Sequence, residues 1–182
     1  MPANPAPMAA RRKPRAAAAQ RDGASALDSM RRIVRALGIS ARTAERSIGI
    51  TGAQLLVLRM LDANSTQSLN ELAALTFTHQ SPVSVVVDRL VSRGFVSRSR
   101  SEADRRRVVL TLTAAGGRAL RHAPPPAQMR LITAINALPP GRRRALAQVL
   151  KAIVNDMDLA DGPVGFFFEE APAVAAPKRR QA

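Results

Sequence analysis

The spacing of apolar positions predicts a mostly helical chain. An amphipathic helix is expected over 25–47, because apolar side chains recur there at helical spacing. This stripe consists of Leu27, Met30, Ile33, Val34, Leu37 and Ala41. Thr51 with Gln54, and Ser68 with Glu71, have the spacing of capping boxes, and each pair opens a short apolar helix.

A further amphipathic helix is predicted from about Thr78 to Arg93. Its apolar face consists of Val83, Val86, Val87 and Leu90. Gly94 follows at the position where a glycine commonly ends a helix in the left-handed conformation. The helix is therefore expected to bury its valine face and to present its other side to solvent or to a ligand.

A β-hairpin is predicted next, since apolar and polar residues alternate over 95–100 and again over 108–113. The polar segment between them, SEADRRR, supplies the turn and gives the hairpin a basic tip. Thr113 begins another helix, which the prolines at 124–126 should kink or restart. Pro139 and Pro140 suit the first turn of a last helix. The predicted fold class is mainly α with a small β-hairpin wing.

Both ends of the chain differ in composition from the body at 25–158. Residues 1–24 are rich in Ala, Pro and Arg and lack an apolar period, so a disordered basic arm is expected. This arm either contacts phosphates or is a solvated tail without a role. The C-terminal tail, 159–182, contains three consecutive phenylalanines at 166–168, which are expected to dock onto the body or onto a partner chain.

Charge narrows the range of partners. The 182 residues carry a formal net charge of +15 and a sequence pI of about 11.9. Such a balance favours a polyanionic partner, either nucleic acid or an anionic membrane surface. The chain has no cysteine, no apolar run of membrane-spanning length and no apolar segment behind its basic N-terminus. A soluble cytoplasmic protein is therefore expected.

The order of the predicted elements is that of a winged helix-turn-helix. Two short capped helices precede an amphipathic third, and a hairpin follows. In this arrangement Asp104 and the three arginines Arg105, Arg106 and Arg107 lie at the tip of the wing. Like charges are tolerable there, because DNA phosphates and a narrow minor groove attract arginine side chains.

These residues also resemble a known family. Asp104, Arg105 and Arg106, followed by Leu112, Thr113 and Gly116, match the wing pattern of the multiple-antibiotic-resistance regulator (MarR) family of bacterial transcription factors. The segment 69–98 is similar to the DNA-binding helix-turn-helix of that family and its first wing strand. The resemblance extends roughly from Leu27 to Met157.

The resemblance implies a homodimer on double-stranded DNA. Helices within 25–47 and 114–158 would form the dimer and flank a reading head at 51–113. The dimer would bind a pseudo-palindromic operator, most often as a repressor. The motif aspartate, Asp104, would pair with Arg106 and aim it at the minor groove. A small aromatic or amphipathic effector of unknown identity would bind between the dimerisation helices and the reading head; no other cofactor is expected.

The helix predicted from about Thr78 to Arg93 is the reading helix, which would enter the major groove. Its residues that face away from the valines are the candidates for base and phosphate contact. They are His79, Gln80, Ser81, Ser84, Val85 and Arg89. Ser68 and Asn70 begin the preceding helix, whose N–H groups are suited to a phosphate. Val85 can offer only an apolar contact, for example to a thymine methyl group.

Other functions have less support. The sequence contains no nucleophile elbow, P-loop, dinucleotide-binding glycine pattern or HExxH motif, so no enzymatic activity is expected. The two histidines, His79 and His122, are far apart in sequence and lack partner ligands for a metal. Two alternatives to a specific regulator stay open. One is a sequence-tolerant nucleic-acid coat, and the other is a winged-helix module that binds protein.

Overall fold

The computed structural model of the chain describes residues 12–64, 66–101, 106–161 and 165–168. By compactness the chain divides into two units, Met1–Ala36 and Leu37–Ala182. The helices of the described residues are α1 (Arg12–Ile48), α2 (Gly52–Ala63), α3 (Leu69–Thr76), α4 (Gln80–Ser92), α5 (Ala114–Arg121), α6 (Ala127–Asn136) and α7 (Pro140–Asp156). The strands are β1 (Val96–Arg100) and β2 (Val108–Leu112). The predicted fold class, mainly α with a β-hairpin wing, is confirmed.

The first helix is longer than predicted. It begins at Arg12, so the expectation of a disordered arm over 1–24 is wrong for residues 12–24; residues 1–11 lie outside the described part. Four consecutive alanines at 16–19 explain the extension, because alanine has the highest intrinsic helix propensity. In the unit that ends at Ala36, the described side chains are exposed apart from a half-buried Met30.

Both capping boxes form as their spacing predicts. The Thr51 hydroxyl accepts from the Gln54 amide at 3.2 Å, and the Thr51 amide donates back to Gln54 Oε1 at 3.0 Å. At α3, the Ser68 amide donates to Glu71 Oε2 at 2.7 Å and the Glu71 amide donates to the Ser68 hydroxyl at 3.3 Å. These bonds satisfy amides that a helix leaves without an internal partner, so they fix where α2 and α3 begin.

The core of the second unit is built around α2, which is buried over most of its circumference. The inward faces of α3 and α4, and one residue from each wing strand, pack into the same cluster. Its fully buried large side chains are Ile50, Leu55, Leu56, Val57, Leu58, Leu61, Leu72, Val83, Val86, Val87, Leu90 and Leu110. The predicted valine face of α4 is thus confirmed as its buried face.

The wing is an antiparallel pair in which Val96 lies opposite Leu112 and Arg100 lies opposite Val108. Gln67, just before α3, adds a short bridge to this sheet. Its amide donates to the Leu110 carbonyl at 3.1 Å, and the Leu110 amide donates to the Gln67 carbonyl at 2.7 Å. The wing is therefore tied to the start of α3 as well as to the end of α4.

The junction between wing and α5 is close-packed. The Thr113 hydroxyl accepts from the Gly116 amide at 3.1 Å and donates to the Gly94 carbonyl at 2.7 Å. A Cβ atom at Gly116 would overlap the carbonyl oxygen of Phe95 and would lie 2.7 Å from Leu112 Cδ1. The threonine and glycine of the wing motif are thus explained by a helix cap and by a close backbone approach.

Two boundaries refine the sequence predictions. The helix with the valine face begins at Gln80 rather than near Thr78, and His79 is its N-cap residue, without a side-chain capping bond. The Thr78 hydroxyl instead donates to the Thr76 carbonyl at 3.1 Å. The prolines at 124–126 separate α5 from α6, so the helix is restarted rather than kinked.

The C-terminal residues differ sharply in burial. Phe166 is 5% exposed and belongs to the core cluster of the second unit, which confirms that the phenylalanine segment docks onto the body. By contrast, α7 contributes no buried residue.

None of the described helices combines the length and apolar content needed to cross a bilayer.

Candidate nucleic-acid interface

The outward side of α4 carries the polar residues that the sequence analysis singled out. Gln80, Ser81 and Arg89 are exposed, and Ser84 and Val85 are half-buried. They lie on the helix whose other face is the valine side in the core, so a ligand can reach them without disturbing the packing. His79 precedes them at the exposed N-cap position.

The start of α3 is organised by Glu71. Ser68 already uses its hydroxyl within the capping box, where it accepts from the Glu71 amide and donates to Glu71 Oε2 at 2.9 Å. Asn70 is exposed beside it. The Ser68 hydroxyl, the Ser68 amide and the Glu71 amide are therefore already paired within the cap, while the Asn70 side chain is exposed.

The wing tip is described only in part. Asp104 and Arg105 lie outside the described residues, whereas Arg106 and Arg107 are both exposed. Arg107 Nη2 forms an ion pair with Glu71 Oε1, which connects the C-terminal side of the wing tip to the first turn of α3. Arg107 is thus already held by a protein carboxylate, a contact that its position in the arginine run did not predict.

Glu71 is strongly biased toward its charged form. The hydrogen bond from the Ser68 amide, followed by the bond from Arg107, lowers the pKa of Glu71 from 4.5 to about 2. Both contacts favour the carboxylate, because they donate to its negative oxygens. At neutral pH the wing tip and α3 are therefore joined by full opposite charges.

A second ion pair joins the wing to the reading helix. Arg98 of β1 donates to Asp88 of α4 at 2.5 Å, and both side chains remain partly exposed. At the end of α4, Arg93 donates to the Gly49 carbonyl at 2.6 Å and lies over the Phe95 ring at 5.0 Å. Sequence reasoning missed the contacts of Arg98 with Asp88 and of Arg93 with Gly49, because each joins different elements that only the fold brings together.

A cavity lies beside the turn between α3 and α4. Its volume is about 320 Å³, and it is bounded by that turn at 76–78, by the face of α6 that carries Leu131, Ile132 and Ile135, and by the C-terminal segment through Phe167. Phe77 forms part of the turn with a φ of +53°, a left-handed conformation that is unusual for a residue other than glycine. An occupant of this cavity would touch residues of the turn that precedes α4.

His79 and His122 are both exposed, and the described residues contain no group of three side chains suited to hold a metal ion.

Comparison with known proteins adds family information. Residues 48–107 match the model of the family described as MarR family. An uncharacterized HTH-type transcriptional regulator of Bacillus subtilis, YfiV, is 29% identical over 107 residues, which are 59% of this chain and 67% of that protein.

Two solved structures agree in fold. The transcriptional regulator BldR from Sulfolobus solfataricus has a TM-score of 0.50 at 20% identity, covering 74% of this chain and 96% of its own. A MarR family protein from Bacillus stearothermophilus also has a TM-score of 0.50, at 22% identity, covering 76% of this chain and 97% of its own.

Fold and surface together define a winged helix-turn-helix protein whose reading helix is open on its polar side. The family match over 48–107 takes in α2, α3, α4 and β1. Residues 48–107 are thus similar to the MarR family, in agreement with the wing motif.

Proposed function

We propose that the protein is a sequence-specific DNA-binding transcriptional regulator. The observation that carries this proposal is the difference between the two faces of α4. Val83, Val86 and Val87 are fully buried, while Gln80 and Ser81 are exposed at its N-terminal end. In helix-turn-helix proteins the N-terminal residues of the second helix contact base edges in the major groove. Gln80 has the donor and acceptor pair that suits adenine, and Ser81 suits phosphate or a base edge.

Charge supports the same partner. The chain has 28 Lys and Arg residues against 13 Asp and Glu residues, and Arg106 and Arg107 are exposed at the wing. Neutralisation of phosphates by such side chains releases counterions and contributes most of the sequence-independent affinity for DNA. The wing arginines would then lie at the backbone or minor groove while α4 occupies the major groove.

We further propose that the regulator acts as a homodimer on a pseudo-palindromic operator and represses transcription. The support is the apolar surface of α7, a helix with no buried residue in the described chain. The exposed apolar residues are Val149, Leu150, Ile153 and Val154 of this helix and Met157 at its C-cap. A contiguous apolar face of this kind marks an interaction surface. A second copy of the chain would bury it in a two-fold arrangement.

The cavity beside the α3–α4 turn is proposed as the effector site. It has the volume and apolar lining typical of small-molecule pockets, and it contacts the turn that positions α4. A ligand that binds one orientation of the turn more tightly than another shifts the population of DNA-competent dimers. Such a ligand would release the operator.

Genomic footprinting of the full chain, followed by affinity measurements on the footprinted duplex and on a scrambled duplex of equal length, tests the function. A specific regulator binds the footprinted duplex much more tightly than the scrambled one at the same salt concentration. Equal affinity for both duplexes, with a steep salt dependence, would favour the nucleic-acid coat. The absence of DNA binding at physiological salt would favour the protein-binding module.

A further inference from the structure

The cavity beside the α3–α4 turn has one wall that comes from the C-terminal tail. Phe166 anchors the segment in the core, and the next residue, Phe167, lines the cavity together with residues of α6. Phe167 is 51% exposed, so its ring borders the cavity on one side and solvent on the other. A residue in this position determines how far an occupant can extend toward solvent.

The chemistry of the cavity is uncharged. The lining residues in the described part of the chain are apolar or carry only hydroxyl and amide groups, the latter from Gln128 and the threonines of the turn. Moving an anion or a cation into such surroundings costs several kcal/mol unless a counter-charge is present. The aromatic rings of Phe77 and Phe167 favour stacking or edge contacts with a flat partner.

We propose that Phe167 is the specificity-determining residue of this cavity, and that it limits the occupant to a small, uncharged, flat apolar molecule. The inference rests on the effector role proposed above for the same cavity. It adds that the C-terminal tail, rather than the winged helix, sets the size of the ligand.

The tail offers a matched control. Phe168 is 59% exposed, close to the 51% of Phe167, but it does not line the large cavity. It lies instead beside Gly38 and a smaller surface pocket next to α1. Replacing either phenylalanine by alanine removes a similar amount of exposed aromatic surface. Only F167A enlarges the cavity.

The experiment measures direct binding of three probes to the full-length protein by calorimetry or fluorescence, without DNA. The probes are the uncharged 2-naphthol, the anionic 2-naphthoate, which carries a carboxylate in place of the hydroxyl group, and the bulkier uncharged 1-pyrenemethanol. The unaltered protein should prefer 2-naphthol to both others. F167A should bind 2-naphthol roughly two- to tenfold more weakly, the loss expected for one aromatic contact, and should bind 1-pyrenemethanol more tightly than the unaltered protein does. F168A should behave as the unaltered protein.

The reversal of size preference is the decisive result, because a merely destabilised protein would lose affinity for every probe. Should F167A be poorly folded by circular dichroism, F167L replaces it, since leucine is apolar but lacks the ring. Equal effects of F167A and F168A, unchanged size preference, or tighter binding of 2-naphthoate than of 2-naphthol would overturn the inference. Failure of the unaltered protein to bind any probe would also overturn it. Operator affinity is measured on separate samples, so either result leaves the regulator function independently testable.

Discussion

At the scale of single residues, Glu71 connects the start of α3 to the wing. It closes the capping box of α3 with Ser68 and forms an ion pair with Arg107 at the wing. The carboxylate therefore does two things: it fixes the start of α3 and holds the wing tip against it. A DNA phosphate that approached Arg107 would compete with this carboxylate, so the pair also sets how strongly Arg107 responds to DNA.

The pH dependence of stability should show this role. Because folding lowers the pKa of Glu71 from 4.5 to about 2, its contribution to stability is fully present above pH 4.5 and is lost as the pH falls toward 2. In E71Q the cap can still form, but the ion pair and the titration are gone. The free energy of unfolding of the unaltered protein should exceed that of E71Q by about 1 kcal/mol or less at neutral pH, since the pair is half-exposed.

Urea denaturation of both proteins across this pH range is the measurement, and the difference between them should narrow as the pH falls. R107A serves as a control. It removes one of the two main causes of the low pKa of Glu71 but leaves the Ser68 amide in place, so the free energy of unfolding should keep a weaker dependence on pH. If the difference in free energy of unfolding between the unaltered protein and E71Q stayed constant through the whole pH range, the stabilising role of the Glu71 carboxylate would be contradicted.

The wing motif makes a second prediction at this scale. If Asp104 aims Arg106 at the minor groove, then R106A should cost about 1–3 kcal/mol of operator binding, the usual loss for one good contact. D104A should also weaken binding, even though it removes a negative charge and would strengthen any purely electrostatic contact. R105A and R107A should act more weakly, mainly by lowering the salt slope by up to about one unit each if they touch phosphate.

The measurement is operator affinity against salt concentration for the four variants, with a scrambled duplex as control. It distinguishes a wing that aims Arg106 at the minor groove from a wing that makes only electrostatic contacts. Tighter operator binding by D104A than by the unaltered protein would mean that the wing responds to bulk charge. The nucleic-acid coat would then be the better description.

At the scale of elements, the wing and α5 meet at a point that tolerates no side chain. Gly116 lies where any Cβ atom would overlap the Phe95 carbonyl, whereas a Cβ atom at Gly117 would lie 4.0 Å from Leu112 Cδ2. G116A should therefore destabilise the protein by about 1–3 kcal/mol, the usual cost of overpacking. G117A, on the same helix, should stabilise it by about 0.4–1 kcal/mol, because alanine restricts the unfolded chain.

The measurement is the midpoint of chemical denaturation. It should shift to a lower denaturant concentration in G116A and to a higher one in G117A. Destabilisation of equal size by both substitutions would indicate a general loss of helix geometry instead.

The sequence predicted contacts between residues of the same helix and missed contacts between separate elements. The capping boxes of α2 and α3 and the valine face of α4 depend on residues within one helix, and all were predicted. The pairs between Arg98 and Asp88, and between Arg107 and Glu71, join residues far apart in sequence, so no local pattern indicated them. The first helix was predicted too short because its N-terminal part lacks an apolar period, although the intrinsic propensity of its alanines favours a helix.

At the scale of the whole molecule, the apolar face of α7 needs a partner. If a second copy supplies it, sedimentation at low micromolar concentration should show a dimer, and I153D should shift the protein toward monomer, because the aspartate would be buried without a counter-charge. Asn155 lies two positions further on the same helix and points to the other side, so N155D adds a charge without entering the interface. A monomer that still bound the operator would contradict the dimer.

Two-fold symmetry of the proposed dimer would also fix the spacing of the operator. A dimer that places one α4 helix in each of two major grooves needs half-sites about one helical turn apart, roughly 34–36 Å. Inserting about five base pairs between the half-sites turns one of them to the opposite face of the duplex, and affinity should collapse. Inserting a full turn of about ten base pairs restores the face but lengthens the distance, so it shows whether the dimer can extend. Gel-shift titration of the three duplexes is the measurement. Unchanged binding after the half-turn insertion would mean that each head binds independently, and the two-headed dimer would have to be abandoned.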